Sequence, residues 1–229
     1  MGNVIKTFLL VTDKPWHDTL LEELKNETPH RWLRFRDKES FTEANLSEIK
    51  PDLIFIPHWS HIIPESVYLK FECIVFHMTD LPYGRGGSPL QNLITRGHKE
   101  TKISAIRVAQ GIDTGPVYLK APLTLEGTSE EIFIRSTGVI KSMILEIIEK
   151  RPVPVAQEGE PVVFKRRKPE ESDIKKLSTI EEVYDYIRML DADGYPKAFL
   201  ETENLRLEFS KASIENDQTL NAHVRIFKK

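Results

Sequence analysis

An apolar run that ends in a histidine and a glycine-rich turn is the feature that most constrains the fold of this 229-residue chain. Residues 73–91 read CIVFHMTDLPYGRGGSPLQ. Residues 73–76 are apolar and are soon followed by turn-forming residues, and that combination predicts a short buried strand rather than a helix. His77, Thr79 and Asp80 would then follow the carboxyl end of the strand, the edge of an open α/β sheet at which ligands bind.

A second loop carries an aspartate after a second apolar run. Residues 103–108 predict a strand, and they lead into the sequence AQGIDTGP at residues 109–116. A lone histidine after a strand is usually a hydrogen-bonded structural residue, and an aspartate between glycines is usually a turn former. His77 and Asp113 together are nevertheless a candidate acid–base pair, because an imidazole titrates near neutral pH and a nearby carboxylate can orient it.

Strand-like and helix-like segments alternate along the chain. The predicted strands cover residues 5–11, 32–35, 53–56, 73–76 and 103–108, and the predicted helices cover residues 16–25, 41–48, 89–95 and 128–150. This alternation predicts an α/β protein with a Rossmann-like, mainly parallel sheet and right-handed crossovers.

The pattern changes after the long predicted helix. The stretch up to residue 176 is largely polar and charged, residues 178–190 have one apolar face with Ser178 as the expected N-cap, and the residues from Ala198 onward alternate as strands do. A β-rich tail of this kind is compatible with a homodimer, the commonest closed assembly. We expect a catalytic domain at residues 1–153, an extended arm at 154–176 and a short helix-plus-β extension at 177–229.

Composition favours a small-molecule enzyme. Lys and Arg number 32 against 35 Asp and Glu, and a net charge of −3 argues against a nucleic-acid partner that is bound through its phosphates. Residues 165–168 are the one dense basic run, and a solvated linker explains them at least as well as phosphate contacts do.

The single cysteine, Cys73, excludes an internal disulfide and a cysteine-based metal cluster, so no metal is expected. The apolar run at residues 8–11 is too short for a signal peptide or a membrane span, which predicts a cytoplasmic protein with no membrane partner.

The two loops resemble the signature of the N10-formyltetrahydrofolate-dependent formyltransferases. The pattern HxxxLPxxRG begins at His77, and DTGP follows at Asp113, 36 residues later. Residues 51–64, 159–170 and 188–199 resemble further segments of the same family. The resemblance implies the formyltransferase fold, with N10-formyltetrahydrofolate as the formyl donor.

The resemblance also implies roles for individual residues. His77 and Asp113 would move protons, and Thr79 is the side chain nearest in sequence that could stabilise the formyl oxygen. The pterin ring would lie between two loop segments, His61, Ile62 and Ile63 on one side and Ala109, Gln110, Gly111 and Ile112 on the other. Tyr83, Arg85 and Gly86 would contact the substrate, although Arg85 is expected to brace the turn more than to touch a ligand.

One position departs from the family pattern. The family has an asparagine two residues before the histidine, and its carboxamide is expected to hydrogen-bond the formyl oxygen. Here that residue is Val75, which has no polar side-chain atom. Thr79, Asn92, backbone amides of the glycine turn or a protonated His77 would have to replace the carboxamide, and loss of such a donor typically lowers the rate roughly 10²–10³-fold.

The branch of the family decides the predicted acceptor. The tail is short beside the carboxyl-terminal barrel of methionyl-tRNA enzymes, and residues 11–16 lack the glycine-rich phosphate loop of glycinamide ribonucleotide enzymes. The expected acceptor is therefore a nucleotide-linked 4-amino-4,6-dideoxy sugar, on UDP rather than dTDP, in a pathway of the pseudaminic type that feeds surface polysaccharide. Three alternatives stay open: formylation of a carrier-bound aminoacyl group, hydrolysis of formyltetrahydrofolate, and an inactive binding relative.

Overall fold

The computed structural model describes residues 4–216 and 218–229. The strands are β1 (Thr7–Val11), β2 (Arg31–Phe35), β3 (Leu53–Pro57), β4 (Cys73–His77), β5 (Tyr83–Gly86), β6 (Glu100–Arg107), β7 (Val117–Thr124), β8 (Val162–Phe164), β9 (Ala198–Glu201), β10 (Leu205–Asn216) and β11 (Thr219–Lys228). The α-helices are α1 (Leu20–Glu27), α2 (Glu43–Ile49), α3 (Glu65–Tyr68), α4 (Pro89–Ile94), α5 (Ser129–Lys150) and α6 (Ile180–Arg188), and 3-10 turns cover Pro15–His17 and Pro169–Ser172.

Six strands form the main sheet in the order β2-β1-β3-β4-β6-β7. The pairs β1–β2, β1–β3 and β3–β4 are parallel, whereas β4 and β6 run antiparallel. All five residues of β3 are buried, as expected of a central parallel strand that is covered on both faces. The predicted α/β fold with a mainly parallel sheet is confirmed.

The chain divides into two compact units. The first comprises residues 4–85, 101–123 and 134–163, and it contains the main sheet except the first residue of β6 and the last residue of β7. The second comprises residues 86–100, 124–133 and the described residues from 164 onward. Its antiparallel sheet has the order β11-β10-β9, which confirms the predicted β-rich extension. The predicted boundaries at residues 153 and 176 stay a prediction.

Local differences from the predicted elements have local causes. The helix expected at residues 16–25 begins as a 3-10 turn at Pro15 and becomes α-helical only at Leu20. The cap of α6 is Thr179 rather than Ser178: the Thr179 hydroxyl accepts from the Glu182 backbone N–H, and the Glu182 carboxylate accepts from the backbone N–H of Thr179. The capping box therefore lies one residue further along the chain. Strand β7 was missed by the sequence prediction.

No helix among the described residues has both the length and the apolar character that crossing a bilayer requires.

Candidate active site

The imidazole of His77 is held between two acceptors. His77 is the last residue of β4 and is 8% exposed. Its Nε2 lies 2.7 Å from the carbonyl oxygen of Gly84, and its Nδ1 lies 3.4 Å from Oδ2 of Asp113. A carbonyl can only accept, so Nε2 carries a hydrogen. The Asp113 carboxylate lies beside Nδ1, where it can accept a hydrogen from the ring. The site can therefore exchange one proton without losing its hydrogen bond to Gly84.

Asp113 reaches His77 by a route that the sequence prediction did not anticipate. Because β6 is antiparallel to β4, the carboxyl end of β6 lies beside the start of β4, with Arg107 opposite Ile74. The loop of residues 108–116 must return along β4 to bring the Asp113 carboxylate to the imidazole. The two loops therefore leave β4 and β6 at opposite edges of the sheet, even though the structure places His77 and Asp113 together.

The shape of this loop depends on unusual backbone geometry. Asp113 has a φ of 54°, a left-handed conformation that aspartate tolerates better than most residues. A Cβ at Gly115 would lie 1.7 Å from the carbonyl oxygen of Arg107, so only glycine fits where the loop closes on β6. The Thr114 hydroxyl donates to the Gln110 carbonyl at 2.7 Å. These constraints fix the turn that presents Asp113.

Arg85 is bound to the protein by its guanidinium. Its Nε and Nη2 lie 3.1 Å and 2.8 Å from Oε1 of Gln157. The Nε2 of Gln157 in turn donates to the carbonyl oxygens of Asp113 and Gly115, at 2.9 Å and 2.8 Å. Arg85 therefore braces the loop through Gln157, a residue that the sequence analysis did not single out. Gln157 lies just before the segment that resembled the family, in a stretch interpreted as a polar arm.

Thr79 lies within hydrogen-bonding distance of the same carbonyl as His77. The residue is fully buried, and its hydroxyl donates to the Gly84 carbonyl oxygen at 3.4 Å. Its own carbonyl accepts from the Ser104 hydroxyl at 2.7 Å. Thr79 thus has a supporting position behind the imidazole, and its role on the formyl oxygen stays a prediction.

Asp80 anchors the turn that follows β4. Lys102 Nζ lies 2.9 Å from its Oδ2, and Lys120 Nζ lies 2.5 Å from its Oδ1. Burial alone would raise the pKa of Asp80, but hydrogen bonds from Lys120 and Lys102 outweigh it and lower that pKa below its usual value. Asp80 is therefore ionised at neutral pH, and its two lysine contacts hold the turn.

The two other predicted substrate residues lie in β5. Tyr83 is half-buried, and its backbone N–H donates to the Asp80 carbonyl at 3.2 Å. Gly86 belongs to the second unit and has a φ of 103°; a Cβ there would lie 2.5 Å from the carbonyl oxygen of Phe164. Glycine is required at that position by the pairing with β8, and the substrate contacts of both residues stay predictions.

Two other histidines form a buried cluster. His17 Nε2 and the indole Nε1 of Trp16 both lie 2.9 Å from His58 Nδ1, and His17 Nδ1 lies 2.9 Å from the hydroxyl oxygen of Thr137. The indole N–H can only donate, so His58 Nδ1 is an acceptor. Burial, followed by the positive charge of neighbouring groups, lowers the pKa of His17 to about 2 and that of His58 to about 3. These imidazoles are neutral at physiological pH.

The predicted pterin loops present apolar side chains to solvent. Ile62 is 85% exposed and Ile112 is 67% exposed, whereas Ile63 and Val108, near the bases of the two loops, pack on one core cluster. The surrounding positions His61, Gln110 and Gly111 are exposed, and Ala109 is half-buried. Ile62 also lines a cavity of about 220 Å³, whose other lining residues include Phe41 and Trp59. Apolar surface over exposed backbone fits a flat heterocycle.

The structure removes one of the candidates for the missing carboxamide. The Asn92 Nδ2 lies within 3.0 Å of the carbonyl oxygens of Gly87, Ser88 and Lys165 in the second unit, which share its two hydrogens, so this amide serves to hold the glycine turn. Val75 is half-buried and packs against the apolar cluster of the first unit, in which Trp59 and Ile63 also take part.

The sequence comparison decides the family. A sequence model described as formyl transferase matches residues 6–142, which is more than half of the chain. The chain belongs to the formyl transferase family. Members of this family are enzymes that transfer formyl groups. Residues 169–227 match a second model, described as the C-terminal domain of methionyl-tRNA formyltransferase.

Two relatives of this formyl transferase are named methionyl-tRNA formyltransferases, in agreement with the match at residues 169–227. A methionyl-tRNA formyltransferase from Clostridium thermocellum has 48% identity and a TM-score of 0.95, over 98% of this chain and 100% of that one. The methionyl-tRNA formyltransferase of Wolbachia pipientis subsp. Culex pipiens is 24% identical over 184 residues, which are 78% of this chain. The chain spans 60% of the length of that relative.

A more distant relative adds the fold alone. HypX from Aquifex aeolicus, in a structure in complex with tetrahydrofolic acid, has a TM-score of 0.72 at 16% identity, over 91% of this chain and 38% of that one.

The expectations of a sugar N-formyltransferase and of a nucleotide-sugar substrate without a nucleic-acid partner are wrong. The C-terminal match and the Clostridium thermocellum protein both point to methionyl-tRNA formyltransferases. The error has two causes: the β-rich tail is long enough for a domain of that type, and the net charge of −3 does not outweigh the dense basic run at residues 165–168. A whole-chain charge does not report how charge is distributed locally.

No group of three or more His, Cys, Asp or Glu side chains within residues 4–216 and 218–229 is arranged to hold a metal ion. The expectation that the reaction needs no metal stays a prediction.

Proposed function

We propose that this formyl transferase moves a formyl group from N10-formyltetrahydrofolate to the α-amine of an aminoacyl group carried by tRNA, with methionyl-tRNA as the acceptor to test first. The observation that carries the proposal is the His77–Asp113 pair, whose Nδ1 and Oδ2 lie 3.4 Å apart. The acceptor class is supported by the match of residues 169–227 and by the names of the relatives. Methionyl-tRNA carries an aminoacyl group on a carrier, and formylation of a carrier-bound aminoacyl group is one of the alternatives that the sequence left open.

The reaction needs the proton chemistry that this pair can supply. The amine nitrogen forms a bond to the formyl carbon and loses a proton, while the bond from that carbon to the donor nitrogen breaks and the donor nitrogen gains a proton. Asp113, with 18% of its side chain exposed against 9% for His77, is the more accessible member of the pair. It can accept the proton of the amine and return it to the leaving nitrogen, while the His77 ring orients the carboxylate and stabilises its charge.

The formyl donor fits the apolar loops. When bound, formyltetrahydrofolate supplies an activated formyl group on nitrogen. His61, Ile62 and Ile63 and the segment from Ala109 to Ile112 are the residues proposed to hold its pterin ring. The exposed side chains of Ile62 and Ile112 support this assignment, because ligand contact would remove that apolar surface from water.

The basic run is the proposed contact for tRNA phosphates. The side chains of Lys165, Arg166 and Lys168 are exposed, and the Lys165 carbonyl is fixed by Asn92 at 2.9 Å. Arg167 is committed to the protein, with Nη2 2.6 Å from the Glu171 carbonyl and its guanidinium over the ring of Tyr186. Lys165, Arg166 and Lys168 present three positive charges to solvent from an anchored backbone. We therefore favour binding to the phosphates of a polyanion over the solvated linker that the sequence also allowed.

The test is formyl transfer by the purified chain. Methionyl-tRNA and N10-formyltetrahydrofolate are incubated with the protein, and N-formylmethionine released from the tRNA is identified by a mass increase of about 28 Da. Uncharged tRNA and methionyl-tRNA with an acetylated amine are the matched controls, because neither offers a free α-amine. We expect product only with the free amine. Formate release at an equal rate with and without acceptor would instead support the hydrolase alternative and contradict the proposal.

The cytoplasmic location and the homodimer stay predictions from the sequence.

A further inference from the structure

A closed ring of contacts surrounds the candidate acid–base pair. His77 Nε2 bonds the carbonyl of Gly84 at 2.7 Å, and the next residue, Arg85, donates to Oε1 of Gln157 at 2.8 Å. Gln157 Nε2 donates to the carbonyl of Asp113 at 2.9 Å, and the Asp113 carboxylate faces His77 Nδ1 at 3.4 Å. Both neighbours of the imidazole are therefore tied to each other through one amide side chain.

The orientation of that amide follows from its partners. A guanidinium can only donate, so the atom that faces Arg85 is the amide oxygen. Backbone carbonyls can only accept, so the atom that faces Asp113 and Gly115 is the amide nitrogen, whose two hydrogens are both used. No rotation of the amide preserves these bonds, which makes Gln157 specific at this position.

The backbone on either side of Gln157 is fixed as well. Val155 and Val117 exchange two backbone hydrogen bonds, Val117 N–H to Val155 O at 2.7 Å and Val155 N–H to Val117 O at 2.9 Å. Further on, the Val162 N–H donates to the Pro82 carbonyl at 3.2 Å. The amide is thus presented from an anchored segment.

We propose that Gln157 is a positioning residue, which together with Arg85 sets the placement of the Asp113 carboxylate against the His77 imidazole. The inference deepens the proposed function and rests on it. The Gln157 amide nitrogen donates to the carbonyl of Asp113 itself, a residue with a left-handed backbone conformation. Losing this bond would let the loop rotate, and a displacement of about 1 Å at a reacting group can lower a rate about 10²-fold.

Two substitutions distinguish the bond that the Gln157 amide oxygen accepts from the bonds that its nitrogen donates. Gln157→Glu keeps an acceptor for Arg85 but has no hydrogen to give the two carbonyls, whereas Gln157→Ala removes both ends. Glu158→Ala is the matched control, because Glu158 is the exposed neighbour on the same segment. We expect both Gln157 variants to lose about 10- to 100-fold in kcat, with KM for formyltetrahydrofolate within about threefold and the control unchanged.

A second readout does not depend on activity. The ring ¹⁵N resonances of His77, identified by their loss in His77→Ala, are recorded at fixed pH for the folded wild-type protein and each variant. We expect the Nδ1 resonance to move in both Gln157 variants and to stay in place in Glu158→Ala. An unmoved Nδ1 resonance in folded Gln157→Glu would overturn the proposal, even if Gln157→Ala fails to fold. If the wild-type protein formylates no acceptor while the resonance still moves, the positioning role holds and the proposed function fails.

Discussion

Two histidine clusters lie in the same unit of this protein and have opposite chemical characters. His17 and His58 contact each other, an indole and a threonine hydroxyl, and burial keeps both rings neutral. His77 contacts a carbonyl on one side and the partly exposed carboxylate of Asp113 on the other. The two sites therefore differ in their neighbours: a carboxylate that is partly exposed to solvent lies beside the His77 ring, and this difference is the basis for proposing His77 as the catalytic histidine.

The largest effect should follow from removing the imidazole of the second cluster. We expect His77→Ala to lower kcat for formyl transfer by about 10²–10⁴-fold, because the proton exchange of the pair is lost. The melting temperature should change little beyond the effect of one lost buried hydrogen bond. His223→Ala, which alters an exposed histidine of β11, should retain normal turnover. Near-normal turnover in His77→Ala would show that His77 is not needed for catalysis, and His77 would then have a structural role like that of His17 and His58.

Replacing the carboxylate should have the next largest effect. Asp113→Asn keeps the size of the side chain but cannot accept a proton, so we expect kcat to fall about 10²-fold with KM for both substrates nearly constant. Asp52→Asn is the control, because Asp52 precedes β3 and its carboxylate accepts the backbone N–H of Thr7 at 2.8 Å. Equal losses in the two variants would point to stability rather than chemistry.

The contrast between the two clusters also shows what the sequence could reveal. Periodicity and turn residues were sufficient for most strands and for the long helix α5, because burial and turn geometry are local properties. The resemblance singled out His77 and Asp113, which the structure brings together. Gln157 could not be found in this way, because its partners lie 44 and 72 residues away and because it lies in a largely polar stretch that shows no periodicity. The antiparallel direction of β6 was equally hidden, since an apolar run does not encode strand direction.

The buried cluster should dominate the acid sensitivity of the fold. His17 and His58 have folded-state pKa values of about 2 and about 3, against an unfolded value near 6.5. The unfolded chain therefore binds more protons below about pH 6.5, and stability falls as the pH drops from there toward the folded values. We expect urea unfolding to show a loss on the order of 1–3 kcal/mol per pH unit between pH 6 and pH 4.

A variant of the cluster tests this assignment. His17→Gln keeps hydrogen-bonding atoms but cannot gain charge, so it should be less stable at pH 7.5 and should lose roughly half of the slope below pH 6. Turnover per folded molecule at pH 7.5 should remain close to wild type. An unchanged slope would mean that other groups cause the acid sensitivity.

The smallest effect is expected at Val75, the residue that replaces the family asparagine. Val75 packs against an apolar cluster with Trp59 and Ile63, so a carboxamide in its place would be set against apolar side chains. Val75→Asn should therefore lower stability by about 1–2 kcal/mol and lower kcat by a few-fold at most, both measured at pH 7.5 against Val75→Ala. A rise in kcat of tenfold or more would mean that an ordinary formyl-oxygen site has merely lost its donor. A small fall would mean that the site around His77 and Asp113 has been rebuilt without one.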